Sequence, residues 1–349
     1  EIKKAVSIPV GAVTYMDPAR DPEFFESLIA SGELDFILMN RPLSVDYDYL
    51  HKLEEGRIDE IRPCTRCMHC HWDAADDGNL TFSCRTNAAH PFRFVTGQLT
   101  GSYDPEPAAT AKNVVVVGAG PAGLEAARVA AERGHSVTLY EKKGSVGGLL
   151  EFANNVKGPH ENLSVLRSYF ERQMEVLGVN VMLNTEATAD IIAEASPDIV
   201  IAATGGVRDT LGLSDTAGTK VVGIDDFMMA DIAEEVVIVG SNVQAIDAAM
   251  YLLAQGKHVQ VVTPNAASAI GAGHSFWVKT FTQPNMKALG VRFWPEATVT
   301  AVNDGSVTVK TATGIEQEIA CGTVVEALDC LPNDNLSTGL SCEVVTVGD

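Results

Sequence analysis

A strand, a glycine-containing turn, a helix and a second strand follow one another twice in this chain, at residues 113–148 and 236–262. Each copy begins with four consecutive β-branched residues, as buried parallel strands often do. Each turn leads directly into a helical pattern, so that strand and helix form one βαβ-like unit. The repeat is the only one in the chain, and it predicts an α/β protein with two Rossmann-type domains.

The first copy contains a complete dinucleotide fingerprint, because Gly118, Gly120 and Gly123 form G-x-G-x-x-G directly after the strand. The three glycines allow a tight turn, close approach of a pyrophosphate and packing of the helix on the strand. Glu141 ends the next strand about 20 residues on, where a carboxylate can accept hydrogen bonds from ribose hydroxyls. A purely structural turn would not explain Glu141, so this copy is predicted to bind a dinucleotide. The predicted contacts are Gly118, Ala119, Gly120, Pro121, Ala122, Gly123, Glu141 and Lys142.

The second copy departs from the fingerprint. Gly240 keeps the first position and Ala245 is acceptable at the third, but Asn242 stands at the second. The Asn side chain lies where a pyrophosphate would pass, although Asn tolerates a positive φ better than most residues. Thr263 and Pro264 end the following strand, without an acid for an NAD ribose or an arginine for an NADP phosphate. Two interpretations stay open: NAD(P)H binds at Gly240, Asn242 and Ala245, or the domain is only a scaffold.

Four of the seven cysteines occupy one short segment, as Cys64, Cys67, Cys70 and Cys84. The spacing C-x2-C-x2-C-x13-C suits four thiolates on an iron–sulfur cluster or on a structural zinc ion. If the neighbouring dinucleotide is a flavin, it needs a carrier of single electrons, which zinc cannot be. That context favours a [4Fe-4S] cluster.

Charge and apolar patterning limit the partners. The formal net charge is −21, and an acidic surface repels both nucleic acid and anionic membranes. No apolar run approaches the ~18 residues of a membrane helix, and no signal peptide opens the chain. The clustered cysteines do not resemble a secreted disulfide framework. We therefore expect a cytoplasmic protein that acts on a small molecule, without nucleic acid or membrane as partner.

The order of these parts resembles one family. "RP" at 41–42 and "EGRIDEIRPC" at 55–64 precede the cysteines and the two nucleotide domains. This arrangement is similar to the iron–sulfur flavoproteins related to old yellow enzyme, which include 2,4-dienoyl-CoA reductase, enoate-type ene-reductases such as daidzein and bile-acid reductases, and trimethylamine dehydrogenase. The resemblance covers nearly the entire chain.

The resemblance implies a domain plan and further cofactor contacts. Residues 1–62 would be the last two β/α units of an FMN-binding TIM barrel, 63–108 the iron–sulfur segment and linker, 109–225 with 321–349 the FAD-binding domain, and 226–320 an NAD(P)-binding-like domain. The implied FMN contacts are Gly11, Ala12, Val13, Met39, Asn40 and Arg41, with Arg41 on the phosphate. The implied further FAD contacts are Gly147, Gly148, Ala203, Thr204, Gly205, Gly348 and Asp349. No catalytic acid or base is assigned, because in these relatives the proton donor lies in a part of the barrel outside residues 1–62.

The implied activity is reduction of an activated C=C bond in an enoyl or enone substrate. Electrons would pass from NAD(P)H to FAD, then through the cluster to FMN. One alternative is an amine dehydrogenase that passes electrons from FMN to an electron-transfer protein, and the compact cysteine spacing and altered second glycine motif favour it. A second alternative is a non-catalytic FAD and iron–sulfur electron-transfer subunit. The complete first nucleotide motif favours the reductase, and a homo-oligomer is compatible with each.

Overall fold

The computed structural model describes residues 2–71, 84–87, 89, 105–158, 161–274, 276–333, 336 and 340–348, with backbone only at 71 and 276–278. The chain forms two compact units: residues 1–148 with 161–201, and residues 149–160 with 202–349. Within the described ranges, no helix combines the length and apolar character needed to cross a bilayer.

The described residues form ten α-helices and seventeen strands. The helices are α1 Ile2–Ala5, α2 Pro22–Ala30, α3 Arg41–Val45, α4 Tyr49–Glu54, α5 Pro121–Glu132, α6 Leu150–Lys157, α7 Leu163–Val176, α8 Ala189–Glu194, α9 Val243–Ala254 and α10 Phe276–Ala288. The strands are β1 Gly11–Val13, β2 Phe36–Leu38, β3 Asn113–Val117, β4 Ser136–Tyr140, β5 Asn180–Met182, β6 Ile199–Ala202, β7 Gly206–Arg208, β8 Lys220–Gly223, β9 Glu235–Val239, β10 His258–Val262, β11 Arg292–Trp294, β12 Ala297–Asn303, β13 Ser306–Thr311, β14 Glu316–Ala320, β15 Thr323–Glu326, β16 Cys330–Pro332 and β17 Glu343–Thr346.

The N-terminal segment contains two parallel strands, β1 and β2, paired from Gly11 opposite Phe36 to Val13 opposite Leu38. The intervening α2 begins where Asp21 accepts a hydrogen bond from the Phe24 N–H at 3.3 Å, which caps its first turn. The sequence predicts that β2 is buried on both faces, and within the described residues this is wrong. Phe36 and Leu38 are 44% and 46% exposed, because a two-stranded sheet leaves a face of each strand uncovered.

The segment that leads to the cysteines is held by a small core. The apolar pattern predicts one helix over 47–61, but α4 ends at Glu54 and Gly56 follows with φ 74°, which stops a helix. The Tyr49 hydroxyl donates to Asp17 Oδ1 at 2.7 Å and accepts from the Ala19 N–H at 2.8 Å. Tyr49 and Ile61 are each 1% exposed, so the chain enters the cysteine segment from a fixed point.

The first unit contains four neighbouring strands of the first Rossmann-type sheet, in the order β6-β3-β4-β5. Strands β3, β4 and β5 pair in parallel, as the motif at 113–148 predicts. Val115, Leu124 and Leu139 are fully buried between the sheet and α5. Burial of each such side chain stabilises the fold by about 1.5–3 kcal/mol, so the glycine turn rests on a well-packed support.

The second unit repeats this plan. Its five-stranded parallel sheet has the order β11-β10-β9-β15-β8, with α9 following β9. A separate antiparallel sheet, β12-β13-β14, includes a tight turn at Gly305 with φ 79°. Alternating residues over 295–325 predict these short strands. The α/β class with two Rossmann-type sheets is therefore confirmed.

Candidate dinucleotide and cysteine sites

The first glycine turn lies between β3 and α5. Gly118 has φ 101°, which favours glycine, and its N–H donates to the Tyr140 carbonyl at 2.8 Å. A Cβ on Gly120 would meet no atom within 4 Å, so open space adjoins the N-terminus of α5. Gly123 is buried, and Pro121 occupies the first helical position. Free N–H groups, a positive helix end and open space make this turn suitable for a pyrophosphate.

Glu141 has a role in the turn that the sequence does not reveal. Its carboxylate is buried, and it accepts hydrogen bonds from the Ala119 N–H and the Lys143 N–H, each at 2.8 Å. These charge-assisted bonds hold the turn in shape, and each carboxylate oxygen keeps further acceptor capacity for a ribose. Lys142 beside it is exposed.

Gly147 and Gly148 return to the same turn. The Gly147 N–H donates to the Ala119 carbonyl at 2.8 Å. A Cβ on Gly148 would lie 3.0 Å from Gly120 Cα, so only glycine allows this approach without a shift. The structure thus brings Gly118, Ala119, Gly120, Glu141, Gly147 and Gly148 together within the first unit.

The other predicted FAD contacts lie in the second unit. Ala203 is buried, the Thr204 hydroxyl donates to the Asn333 carbonyl, and Gly205 has φ 71°. Gly348 has φ 104° after β17. Asp349 lies outside the described residues.

The second glycine turn is capped by its own side chain. Gly240 has φ 141°, and a Cβ there would collide with the Ala327 carbonyl oxygen. Asn242 Oδ1 accepts from the Ala245 N–H at 3.0 Å, and Asn242 Nδ2 donates to Asp329 Oδ1 at 2.9 Å. One N–H group at the start of α9 is therefore already used, and a carboxylate lies beside it.

Residues 266–274 cover part of this second turn, which sequence patterns did not indicate. The Gly271 N–H donates to the Ser241 carbonyl at 2.7 Å, and Ala272 bridges to Asn242. A Cβ on Gly273 would lie 2.8 Å from Val243 Cγ2. This packing leaves less room for a ligand to reach the start of α9.

The four predicted cluster cysteines line one cavity of about 320 Å³ in the first unit, together with Arg41, Met68, His69 and other residues of the loop. Burial raises the pKa of the Cys64 thiol to about 11 and also raises that of Cys70. Within the described ranges, no three His, Cys, Asp or Glu side chains are arranged to hold a single metal ion. The four thiols thus border a common cavity.

Two residues of the cysteine loop have a left-handed backbone conformation. Arg66 and Met68, on either side of Cys67, have φ 58° and 60°. Positive φ is uncommon outside glycine and costs about 1 kcal/mol or more per residue, so local contacts must hold these conformations. The Arg66 N–H donates to Cys64 Sγ at 3.4 Å, which is one such contact.

Two arginines flank Tyr15 beside this loop. The guanidinium carbons of Arg41 and Arg66 lie 5.0 Å and 4.5 Å from the centre of the Tyr15 ring. Arg41 Nη1 also donates to Met68 Sδ at 3.1 Å. Arg41 follows β2 and Tyr15 follows β1, so the carboxyl ends of these parallel strands meet at the cysteine cavity.

The other predicted FMN contacts share that edge. Gly11, Ala12 and Val13 form β1, and Met39 and Asn40 follow β2 directly. Asn40 Oδ1 lies 3.1 Å from the Ser44 hydroxyl, which donates to it.

Comparison with known proteins agrees with this architecture. Residues 112–347 match the family model of the pyridine nucleotide-disulphide oxidoreductases. The NADH oxidase of Thermoanaerobacter brockii is 37% identical over 75% of this chain and 40% of its own length. The cinnamate reductase of Clostridium sporogenes is 34% identical over 75% of this chain and 37% of its own. The solved structure of a 2-naphthoyl-CoA reductase complex superposes with a TM-score of 0.81 at 31% identity, over 94% of this chain and 49% of that one.

The chain belongs to the pyridine nucleotide-disulphide oxidoreductase family, because the family model covers well over half of it. Its relatives identify it more closely as a member of the ene-reductase-type flavin and iron–sulfur oxidoreductases, so the resemblance seen in the sequence is confirmed. Family membership implies FAD and a pyridine nucleotide as cofactors. The chain spans about two fifths to half of the length of these relatives.

Proposed function

We propose that this chain belongs to a flavin- and iron–sulfur-dependent oxidoreductase that uses NAD(P)H to reduce an activated C=C bond. One observation carries the proposal: four thiols around a cavity share a compact unit with a complete dinucleotide turn. The names of the cinnamate and 2-naphthoyl-CoA reductases support a conjugated acid or thioester as the substrate class.

A [4Fe-4S] cluster suits the cysteine cavity better than zinc. Four thiolates would complete either site, but zinc has no redox chemistry, whereas a flavin in the same protein needs a carrier of single electrons. Arg41 borders the same cavity and carries a positive charge that would stabilise an anionic cluster. Cys64, Cys67, Cys70 and Cys84 would be its ligands.

An FMN-binding barrel suits residues 1–62. β1 and β2 are parallel, as barrel strands are, and Val13 at their end is 73% exposed. Such exposure fits strands whose other partners come from a longer barrel sheet. Arg41 and the amides of β1 would then hold the FMN phosphate, and Arg41 would also border the cluster. We also propose the remaining divisions that the resemblance implies: 63–108 as the iron–sulfur segment and linker, 109–225 with 321–349 as the FAD-binding domain, and 226–320 as the NAD(P)-binding-like domain.

The residues of this chain bind and orient, and the cofactors supply the redox chemistry. When bound, the nicotinamide, flavins and cluster would convert a hydride into single electrons and back into a hydride for the substrate. Glu141 and the turn at Gly118–Gly120 would hold the FAD, and the cysteine loop would fix the cluster beside Tyr15 and Arg41.

The net charge and the cysteines support a proposal for the cellular compartment of the protein and for its partners. A net charge of −21 disfavours nucleic acid and anionic membranes as partners. Clustered thiols that ligate iron require a reducing compartment, so we propose the cytoplasm. A small-molecule substrate is the expected partner, and a homo-oligomer is compatible with it.

The test is cofactor analysis of the full-length protein prepared without oxygen, followed by reduction with NADH or NADPH. We expect one FMN, one FAD and four irons with matching acid-labile sulfide per chain. We also expect the FAD absorbance to bleach with one of the two nucleotides. Zinc in place of iron would refute the cluster and the electron path together.

An amine dehydrogenase is the second candidate, and the capped second glycine turn favours it. Asn242 occupies an N–H group of α9, and Asp329 lies beside it, so a pyrophosphate would meet a filled helix end and a negative charge. FAD that is bleached by neither nucleotide, in a protein that retains FMN and iron, would favour this candidate. A protein that contains iron and FAD but no FMN would instead favour the electron-transfer subunit.

A further inference from the structure

Asn162 stands at the N-cap of α7 but does not cap it. The first turn of α7 lies wholly within the described residues, and none of its N–H groups donates a hydrogen bond to the Asn162 side chain. Asp21, Thr188 and Asn242 hold the same position on other helices, and each accepts from its own helix. An N-cap side chain typically stabilises its helix by about 1 kcal/mol, and the Asn162 carboxamide does not supply this stabilisation to α7.

The carboxamide is only 9% exposed and contacts the cysteine loop instead. Nδ2 donates to the Cys64 carbonyl at 3.2 Å and to the Tyr15 hydroxyl at 3.1 Å. Oδ1 accepts from Arg66 Nη2 at 2.8 Å. The Asn162 side chain therefore uses both its nitrogen and its oxygen on residues around the first cysteine.

These contacts hold a conformation that is otherwise unfavourable. Arg66 has φ 58°, and its backbone N–H donates to Cys64 Sγ at 3.4 Å. Asn162 contacts the loop on both sides of this N–H, because it bonds to the Cys64 carbonyl before it and, with the Tyr15 ring, holds the Arg66 side chain after it. Hydrogen bonds to ligand sulfurs are one of the factors that set the reduction potential of a cluster. They stabilise the reduced form more, because it carries one more negative charge.

We propose that Asn162 is a positioning residue for the cluster. It holds Cys64 and Arg66 so that the N–H to sulfur bond persists, which raises the midpoint potential and slows the loss of iron. This inference rests on the proposed [4Fe-4S] cluster. It gives helix α7, within the nucleotide-binding fold, a direct role in tuning the electron carrier.

The experiment compares Asn162→Ala with the matched control Asn180→Ala in the full-length holoenzyme. Asn180 is an exposed residue of the same unit whose side chain bonds only weakly to Thr138, at 3.5 Å. The readouts are the midpoint potential from an EPR-monitored redox titration and the rate of iron transfer to a ferrous chelator without oxygen. We expect Asn162→Ala to shift the midpoint to more negative values and to release iron about tenfold faster, as the loss of one or two hydrogen bonds would give. Asn180→Ala should match the wild type.

A second variant keeps the proposal testable if Asn162→Ala fails to assemble the cluster. Asn162→Asp keeps an acceptor for Arg66 but has no donor for the Cys64 carbonyl, so its iron release should fall between those of wild type and Asn162→Ala. Wild-type potential and wild-type iron release in both variants would overturn the proposal. Loss of FAD along with iron would also overturn it, because it would indicate a general role in folding α7. Iron-free wild-type protein would instead refute the proposed function, which keeps the two failures distinct.

Discussion

At the scale of single residues, one side chain decides how open each glycine turn is. In the first turn, Glu141 accepts from the Ala119 N–H and leaves the start of α5 free. In the second turn, Asn242 accepts from the Ala245 N–H and so occupies the start of α9. The two turns thus differ in the placement of one side-chain oxygen, in addition to the cover that residues 266–274 give the second turn.

Asn242→Gly should tighten NADH binding about tenfold if the second domain takes this nucleotide. Glycine removes the side chain from the path of the pyrophosphate, while replacing the Asn cap costs only a few tenths of a kcal/mol. Isothermal titration of the full-length protein with NADH measures the change. Asn242→Asp is the matched control, because it keeps a cap and adds a negative charge, and its affinity should fall. Equal affinity in both variants and the wild type would exclude this turn as the NADH site.

At the scale of elements, a substitution in the turn before α5 should affect FAD binding without lowering the stability of the fold. Gly120 has φ −72° and ψ 177°, which alanine adopts readily, and its Cβ would enter open space. Gly120→Ala should therefore leave the stability of the FAD-free protein unchanged or raise it by about 0.5 kcal/mol, while FAD content falls several-fold because the new methyl group blocks the pyrophosphate. Urea unfolding and flavin extraction measure the two effects. Gly223→Ala, also in open space, should have a similarly small effect on stability and leave FAD content unchanged, and normal FAD content in Gly120→Ala would contradict this site.

The stability of the second unit should depend on pH through one pair of residues at the start of β9 and β10. His258 on β10 stands opposite Glu235 on β9, with Nδ1 2.7 Å from Oε1, and this hydrogen bond raises the pKa of His258 above its ordinary value. The folded pKa exceeds the unfolded one, so the pair stabilises fully below the unfolded pKa and loses its effect as pH rises through the folded pKa. Wild type should exceed His258→Gln in urea midpoint by a small margin at pH 5.5. At pH 9 the two midpoints should coincide, and a margin independent of pH would contradict the assignment.

At the scale of the whole molecule, local patterns predicted the fold better than the site. The two strand–turn–helix units could be predicted because strand, glycines and helix are adjacent in sequence. The predicted helix over 47–61 failed at Gly56, where a left-handed residue ended it. Asn162 could not be found from sequence, because its bond to Cys64 spans 98 positions and follows no period. The cover on the second turn by residues 266–274 was missed for the same reason. Patterns report periodicity, whereas these contacts depend on tertiary packing.

The unfolding free energy lost through one substitution on β2 should depend on the length of the chain. Leu38 is 46% exposed in these 349 residues, but in a complete barrel neighbouring strands and helices would cover it. Leu38→Ala should therefore cost about 3 kcal/mol of unfolding free energy in the full-length protein, as a buried leucine does, and about 1 kcal/mol or less in the 349-residue chain. Urea unfolding of both lengths measures the difference. Leu289→Ala is the control, because Leu289 is 68% exposed in the second unit and should cost less than about 0.5 kcal/mol in either length. An equal cost for Leu38→Ala in both lengths would show that no further barrel sheet covers β2.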